Sequence, residues 1–182
     1  MRVRIRGARP ADAAGIARVH VETWRLAYAG LVPDRHLLEL TVEAQRERWR
    51  RQIARPGAGE VLVADGGGAG ILGFGSSGSA RHPQALASAE VYTLYVAGDY
   101  QGLGLGRGLL CQLLRGLHRR GHRAAYLWVL ADNPARFFYQ AMGGRPAGRQ
   151  RDAFAGALLP EEAYLWPDLA AWLTEQAQGD SG

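Results

Sequence analysis

The chain has 182 residues, of which 47% are hydrophobic and 21% charged, and this is enough for one folded domain with a sizeable core. It holds no run of about 18 apolar residues and only one cysteine, Cys111, so we predict neither a membrane-spanning helix nor an internal disulfide bond. The formal net charge is +5, and all 22 basic residues are arginine. A Walker-type phosphate loop, which requires lysine, is therefore excluded.

The basic balance gives only weak support for a polyanionic partner. The arginines are scattered, apart from two denser stretches at residues 46–55 and 115–123, so nucleic acid is not expected as a partner. The basic N-terminus has no apolar segment behind it, which argues against a secretory signal and makes a cytoplasmic location the default expectation. We expect one domain over residues 1–174, followed by a disordered tail over residues 175–182.

The first half of the chain alternates short strands with helices. Apolar runs of strand length occur at residues 3–5, 61–64 and 71–74. Apolar or charged stretches with helical character occur at residues 16–24 and 43–53. A glycine-rich turn at residues 65–68 makes the second and third strands a hairpin, and the small, polar residues 76–88 are expected to form a mobile loop.

The second half continues this alternation around a glycine-rich turn. Strands are predicted at residues 90–96, 124–129, 145–151 and 163–166. Helices are predicted at residues 109–117, 135–142 and 169–173. Asp132 or Asn133 is suited to cap the helix that contains Pro134 in its first turn, and Gly121 is suited to end the helix before it.

The glycine-rich turn, Gln101 to Arg107, lies between a predicted strand and a predicted helix. A helix N-terminus presents unpaired N–H groups and a partial positive charge, and glycine lets the backbone approach a ligand closely. The turn therefore predicts an anion site, most naturally one for a pyrophosphate. A dinucleotide is disfavoured because the chain has no Asp or Glu between Arg107 and Ala131 to bind a ribose.

With its neighbours, this turn resembles the signature of the GCN5-related N-acetyltransferase (GNAT) family. The signature positions are Gln101, Gly104 and Gly106, with the strand at residues 90–96 before them and Asn133 to Tyr139 after them. The resemblance covers nearly the whole chain and is strongest over residues 89–144. It implies a single-domain α/β fold. Its central sheet is mixed but mostly antiparallel, splayed at the strand before the pyrophosphate turn and flanked by helices.

The resemblance also implies that acetyl-CoA is the co-substrate and that no metal is needed. The backbone that would pair with the pantetheine arm belongs to Leu94, Tyr95 and Val96. The amides that would bind the pyrophosphate belong to Gln101, Gly102, Leu103, Gly104, Leu105, Gly106 and Arg107. Two further residues expected at the coenzyme are Asn133 and Phe138. His118 and His122 have metal-like spacing, but no third ligand is nearby in the sequence.

Two residues are candidates for proton transfer. Tyr139 matches the family's tyrosine that protonates the departing thiolate, and its alternative role is that of a core aromatic. Glu90 stands eleven residues before Gln101 and matches the general base of some members, although it could also be a solvated strand-edge charge. An amine attacks a thioester only when it is uncharged, so a carboxylate that accepts its proton fits the chemistry.

The acceptor is expected to be a primary amine of a small molecule or a protein. Trp24 and Tyr28 are four residues apart on a predicted helix and share a face that could line the acceptor pocket, or could belong to the core. His20 could also line it. The alternatives are a non-catalytic acyl-CoA-binding module and a toxin-type enzyme that acetylates aminoacyl-tRNA. A homodimer is one alternative for the oligomeric state.

Overall fold

The computed structural model describes residues 2–30, 32–55, 57, 59–82, 86–154 and 157–179. Seven strands form one sheet in the order β1-β2-β3-β4-β5-β7-β6. The strands are β1 (Arg4–Gly7), β2 (Glu60–Asp65), β3 (Ile71–Ser79), β4 (Ala89–Val96), β5 (Ala125–Leu130), β6 (Arg145–Phe154) and β7 (Ala157–Trp166). Every neighbouring pair is antiparallel except β4 and β5, which are parallel. The expected mixed, mostly antiparallel sheet is confirmed.

Six α-helices cover the sheet. They are α1 (Ala13–Ala27), α2 (Asp34–Glu39), α3 (Val42–Ala54), α4 (Leu105–Arg119), α5 (Ala135–Ala141) and α6 (Leu169–Gly179). The side chains of successive β2 residues point to opposite faces of the sheet. Leu62 packs in the core beneath α4, whereas Val63 packs in the core beneath α1 and α3. We call these the α4 face and the α1 face. Helices α5 and α6 pack on the α4 face.

Helix α4 owes its position to a leucine stripe. Its fully buried leucines are Leu109, Leu110, Leu113, Leu114 and Leu117. Burial of each one stabilises the fold by about 2 kcal/mol. Gly108 lets the helix approach β1, since a Cβ atom there would lie only 2.6 Å from Ile5 Cδ1.

The parallel pair β4 and β5 separates soon after it begins. The two strands are in register only at Ala89↔Ala125 and Glu90↔Tyr126, whereas β4 stays paired with β3 up to Val96. A wedge-shaped opening therefore passes through the sheet from residue 91 of β4 onward. This is the splay that the resemblance implied, at the strand expected to carry it.

Several sequence-based predictions require correction. Residues 76–79 belong to β3 rather than to a mobile loop, because their backbone pairs with β4 and the Ser76 hydroxyl lies 2.7 Å from that of Thr93. Helix α2 was not predicted. Residues 175–179 continue α6 and are not a disordered tail. Residues 83–85 of the predicted loop, and residues 180–182 of the predicted tail, lie outside the described residues.

Candidate active site

The opening between β4 and β5 continues into a cleft of about 1590 Å³. Side chains from both faces of the sheet line it, including those of α1 and α3 on one side and of α5 on the other. The glycine turn before α4 forms its rim. A reactant entering from either face can thus reach the same gap in the sheet.

The glycine turn has the backbone conformation of an anion site. Gly102 and Gly104 have φ angles of 74° and 78°, in the left-handed region that favours glycine, and no atom lies within 4 Å of a Cβ built at either residue. The Gly108 N–H donates to Gly104 O at 3.0 Å. The N–H groups of Leu105 and Gly106, one turn earlier, point out of the helix end. The turn thus offers unpaired amide N–H groups together with open space for a ligand.

The backbone of β4 turns polar groups toward the opening. Ala97 N donates to Leu72 O of β3 at 2.9 Å. In an antiparallel ladder, successive residues alternately direct their backbone groups toward and away from the partner strand. The N–H and C=O groups of Val96, the preceding residue, therefore face away from β3. Gln101 Nε2 donates to Val96 O at 3.0 Å, which ties the glycine turn to the end of the strand. By the same alternation, Leu94 presents its backbone groups to the opening.

Tyr139 lies on α5 at the wall of the cleft. It is buried, with 7% of its surface exposed, and burial raises the pKa of its hydroxyl well above the ordinary value. The hydroxyl therefore keeps its proton at neutral pH. Its neighbour Phe138 packs toward the first turn of α4, where a Cβ at Gly106 would lie 3.5 Å from the Phe138 ring. Phe137, in contrast, is 58% exposed and does not share the core with them.

Asn133 and Tyr28 join the two sides of the cleft. Asn133 Oδ1 accepts from Ala135 N at 2.9 Å and so caps the first turn of α5. The Tyr28 hydroxyl bonds to the Asn133 side chain and lies 3.4 Å from the Tyr95 hydroxyl. Tyr28 also packs with Val32 in a small cluster between α1 and α2. It is thus both a core residue and a residue of the cleft wall.

Glu90 is fully buried where β4 and β5 are still paired. Arg81 forms an ion pair with its carboxylate, the Arg81 N–H donates to Glu90 Oε2 at 3.2 Å, and the Tyr126 hydroxyl donates to the same oxygen at 3.3 Å. Glu90 is part of the cleft lining, but its carboxylate already accepts from four donor atoms: the Arg81 backbone N, Nε and Nη2, and the Tyr126 hydroxyl. Acting as a base, it would have to accept a proton while paired with an arginine.

A second carboxylate on the cleft, Glu161, was not predicted. It lies on β7 opposite Leu130 of β5, half-buried, and accepts from Gln150 Nε2 at 2.9 Å. Burial is the main cause that raises the pKa of its carboxyl group, as expected for a group that loses hydration. No sequence motif marks Glu161, because strand pairing between β5 and β7 brings it to the site.

The α1 face of the cleft carries an aromatic cluster around His20. Its ring stacks on Tyr95, with centroids 5.6 Å apart, and meets Trp24 and Trp49 edge-on. Trp49 Nε1 donates to His20 Nδ1 at 3.0 Å. Burial, aided by the charge of Arg48, lowers the pKa of His20 to about 4, so the imidazole is neutral at physiological pH.

The structure brings most of the predicted site residues together. Those that line the cleft are Trp24, Tyr28, Glu90, Leu94, Tyr95, Val96, Gln101, Gly102, Gly104, Gly106, Arg107, Asn133, Phe138 and Tyr139. The side chains of the other two do not: Leu103 is 64% exposed, and Leu105 packs against the core beneath α4.

Two features are absent from the described residues. No helix there is long and apolar enough to cross a membrane. No group of three or more His, Cys, Asp or Glu side chains within the described part of the chain is arranged to hold a metal ion.

Comparison with known proteins places this arrangement in context. Residues 21–143 match the acetyltransferase (GNAT) family. The uncharacterized N-acetyltransferase YuaI of Bacillus subtilis is 31% identical over 172 residues, which are 94% of this chain and 97% of that protein. The Salmonella typhimurium protein YncA, solved with its cofactor acetyl-CoA, superposes with a TM-score of 0.68 at 22% identity, covering 92% of this chain and 94% of that one. The PaiA N-acetyltransferase of Thermoplasma acidophilum, solved with coenzyme A, gives 0.67 at 21% identity over 89% of this chain and 98% of that one.

Proposed function

Because the chain belongs to the acetyltransferase (GNAT) family, we propose that the cleft between β4 and β5 is where it transfers an acetyl group to an amine. The protein is an acetyl-CoA-dependent N-acetyltransferase, in keeping with its N-acetyltransferase relatives. The observation that supports this site for the reaction is the coincidence of the open strand pair with the glycine turn on one cleft.

The residues of the turn fit the coenzyme. Gly102 and Gly104 leave open space beside the N-terminus of α4, and the N–H groups of Leu105 and Gly106 point out of the helix end, where the helix dipole favours a pyrophosphate. Leu94 and Val96 present backbone groups that suit the amides of a pantetheine arm. Acetyl-CoA, when bound there, supplies the acetyl thioester.

Tyr139 is proposed to supply the proton that the departing sulfur needs. Its hydroxyl is protonated at neutral pH, as that of tyrosine ordinarily is, burial raises its pKa further, and its ring packs against Phe138 with centroids 5.3 Å apart. A positioned acid of this kind typically accelerates such a step by roughly 10²–10⁴-fold.

The proton that leaves the amine needs an acceptor on the cleft. Glu90 was predicted for this role, and Glu161 is a second candidate. The pKa of Glu161 is raised by burial, which brings a carboxylate closer to the range useful for a general base. Among the described residues Arg81 pairs with Glu90 and no arginine pairs with Glu161, although the charge of Arg81 is a minor cause that lowers the pKa of Glu161.

The function is tested by measuring coenzyme A release and amine acetylation together. Purified protein is incubated with acetyl-CoA and a panel of primary amines, and products are identified by mass spectrometry. We expect at least one amine to be acetylated in step with thiol release. Binding of acetyl-CoA without transfer to any amine or protein N-terminus would instead indicate a binding module. The cytoplasmic location and the homodimer stay predictions.

A further inference from the structure

Two buried polar atoms on the α1 face of the cleft have no partner within the described structure. They are His20 Nε2 and Gln45 Oε1, and both residues line the cleft with 5% and 9% of their surfaces exposed. An unsatisfied buried polar atom costs a protein about 1–3 kcal/mol, so in a cleft such atoms are free to bond to water or to a polar ligand that displaces it.

The hydrogen bond from Trp49 determines what His20 offers. Because Trp49 Nε1 donates to His20 Nδ1, the proton of the neutral ring lies on Nε2. Nε2 is therefore a hydrogen-bond donor. Gln45, one helical turn before Trp49 on α3, offers a buried acceptor oxygen that also lines the cleft.

The charged side chains that α3 contributes to the cleft are all arginines. Arg48 and Arg51 line it, as does Arg55 directly after the helix, and among the described residues none of the three forms a salt bridge. The acidic Glu47 lies outside the cleft lining and pairs with Arg50 at 3.0 Å, also outside it. This side of the cleft is thus positively charged and suits an anion.

The opposite side of the cleft carries the acidic side chains. Glu161 and Asp152 on β7 and β6 line it there, whereas the third carboxylate of the lining, Glu90 on β4, is paired with Arg81. The cleft consequently has a cationic side on α3 and an acidic side on β6 and β7. A ligand that matches both must carry a positive and a negative group.

We infer that the acceptor is a small amine that also carries a carboxylate or phosphate, with the anion held by Arg48 and its neighbours on α3. The amine is then directed toward the opening, and His20 Nε2 and Gln45 Oε1 bond to polar atoms between the two ends. This inference rests on the proposed function and specifies the substrate class for the same site.

The test compares amines that share one short chain. The four amines differ only in the group at the end opposite the amine. This group is apolar in propylamine, a neutral hydroxyl in aminopropanol, a cation in diaminopropane and an anion in β-alanine. Phosphoethanolamine adds a phosphate. We expect the kcat/KM of β-alanine or phosphoethanolamine to be at least about tenfold higher than that of propylamine, because one hydrogen-bonded charge pair contributes about that factor. Comparison of β-alanine with phosphoethanolamine then shows whether the site prefers a carboxylate or a phosphate.

Variants on α3 and α1 assign the effect to residues. Arg48→Gln should raise KM for the better anionic amine about tenfold, and by clearly more than it raises KM for propylamine, whereas the matched control Arg50→Gln should change neither. His20→Asn keeps an acceptor for Trp49 but removes the Nε2 donor and should raise KM without lowering kcat. His20→Gln, which places an N–H donor near the position of Nε2, should have a KM between those of His20→Asn and the unaltered protein.

Two outcomes would overturn the inference while leaving the proposed function standing. One is efficient acetylation of propylamine or diaminopropane with no gain from an anionic group. The other is an equal effect of Arg48→Gln and Arg50→Gln. Absence of acetyl transfer to every amine, together with absence of acetyl-CoA binding by calorimetry, would instead count against the proposed function itself.

Discussion

Among single residues, Tyr139 offers the most direct test of the chemistry. Tyr139→Phe keeps the packed ring and removes only the buried hydroxyl. We expect kcat to fall by roughly 10²-fold or more, because the departing sulfur loses its proton donor, while the Kd for acetyl-CoA stays within about twofold. Stopped-flow turnover and calorimetry measure the two quantities. An unchanged kcat, with acetyl transfer shown to be rate-limiting, would remove Tyr139 from the acid role.

The two candidate bases, Glu90 and Glu161, can be distinguished by their pH profiles. A base must be ionised, so activity should rise as pH increases through the pKa of Glu161, which burial has raised. We expect Glu161→Gln to lower kcat/KM and to recover partly at high pH, where more of the amine is already uncharged. Glu90→Gln should lower activity at every pH and also lower the Tm, because Arg81 and Tyr126 lose their partner. The reverse pattern would support Glu90 as the base.

Which residues reach the cleft was predictable only where a local sequence pattern indicates it. Tyr139 lies on the short helix after β5 and Asn133 lies just before that helix, so their spacing along the chain brings both to the cleft. Glu161 and Gln45 reach the cleft only through long-range pairing of β5 with β7 and packing of α3 on α1. No short-range feature of the sequence reports those contacts.

At the scale of elements, the first turn of α4 can be altered without straining the backbone. A Cβ at Gly106 would make ordinary contact with Phe138 at 3.5 Å, and alanine is preferred over glycine in helices by about 1 kcal/mol. Gly106→Ala should therefore keep or raise the Tm. The added methyl group lies where the coenzyme needs close approach, so the Kd for acetyl-CoA should increase about tenfold.

These opposite directions make the Gly106 result specific. Thermal unfolding and calorimetry on the same preparation give both values. A Tm that falls together with the affinity would mean that the methyl group disturbs helix packing. An affinity that does not change would mean that the coenzyme does not lie against Gly106.

The elements themselves were predictable to different degrees. The leucine stripe of α4 and the apolar strands β4 and β5 have strong periodicity, and their existence and order were predicted correctly. The serines and glycines of β3 looked like a loop because strand propensity is low there. Their pairing with β4 outweighs that local preference, as the Ser76 and Thr93 hydroxyl contact illustrates.

For the molecule as a whole, His20 links stability to pH. Its pKa is about 4 in the folded protein and near the ordinary 6.5 when unfolded, so below pH 6.5 the unfolded chain binds a proton that the folded chain does not. The free energy of unfolding should therefore decrease as pH falls from about 6.5 toward 4, by up to about 1.4 kcal/mol per pH unit from this residue.

Urea denaturation at several pH values measures this dependence. His20→Asn removes the titrating group while keeping an acceptor for Trp49, so its unfolding free energy should depend less on pH across the same interval. Equal slopes for the two proteins would show that His20 is not held neutral.

The absence of lysine from the chain simplifies acetylation assays on the same preparations, because no side chain of the protein is itself a primary amine.

The gap between β4 and β5 has a consequence for reaction order. The glycine turn and α5 bound it on one face of the sheet, whereas α1 and α3 bound it on the other, and Cys111 packs against the core beneath α4 instead of lining the cleft. Acetyl-CoA and the amine can therefore be bound at the same time, and no cysteine thiol lines the cleft to form an acyl-enzyme intermediate. Double-reciprocal plots of initial velocity should intersect, as for a ternary complex. Parallel lines would mean that the protein carries the acyl group alone between two half-reactions.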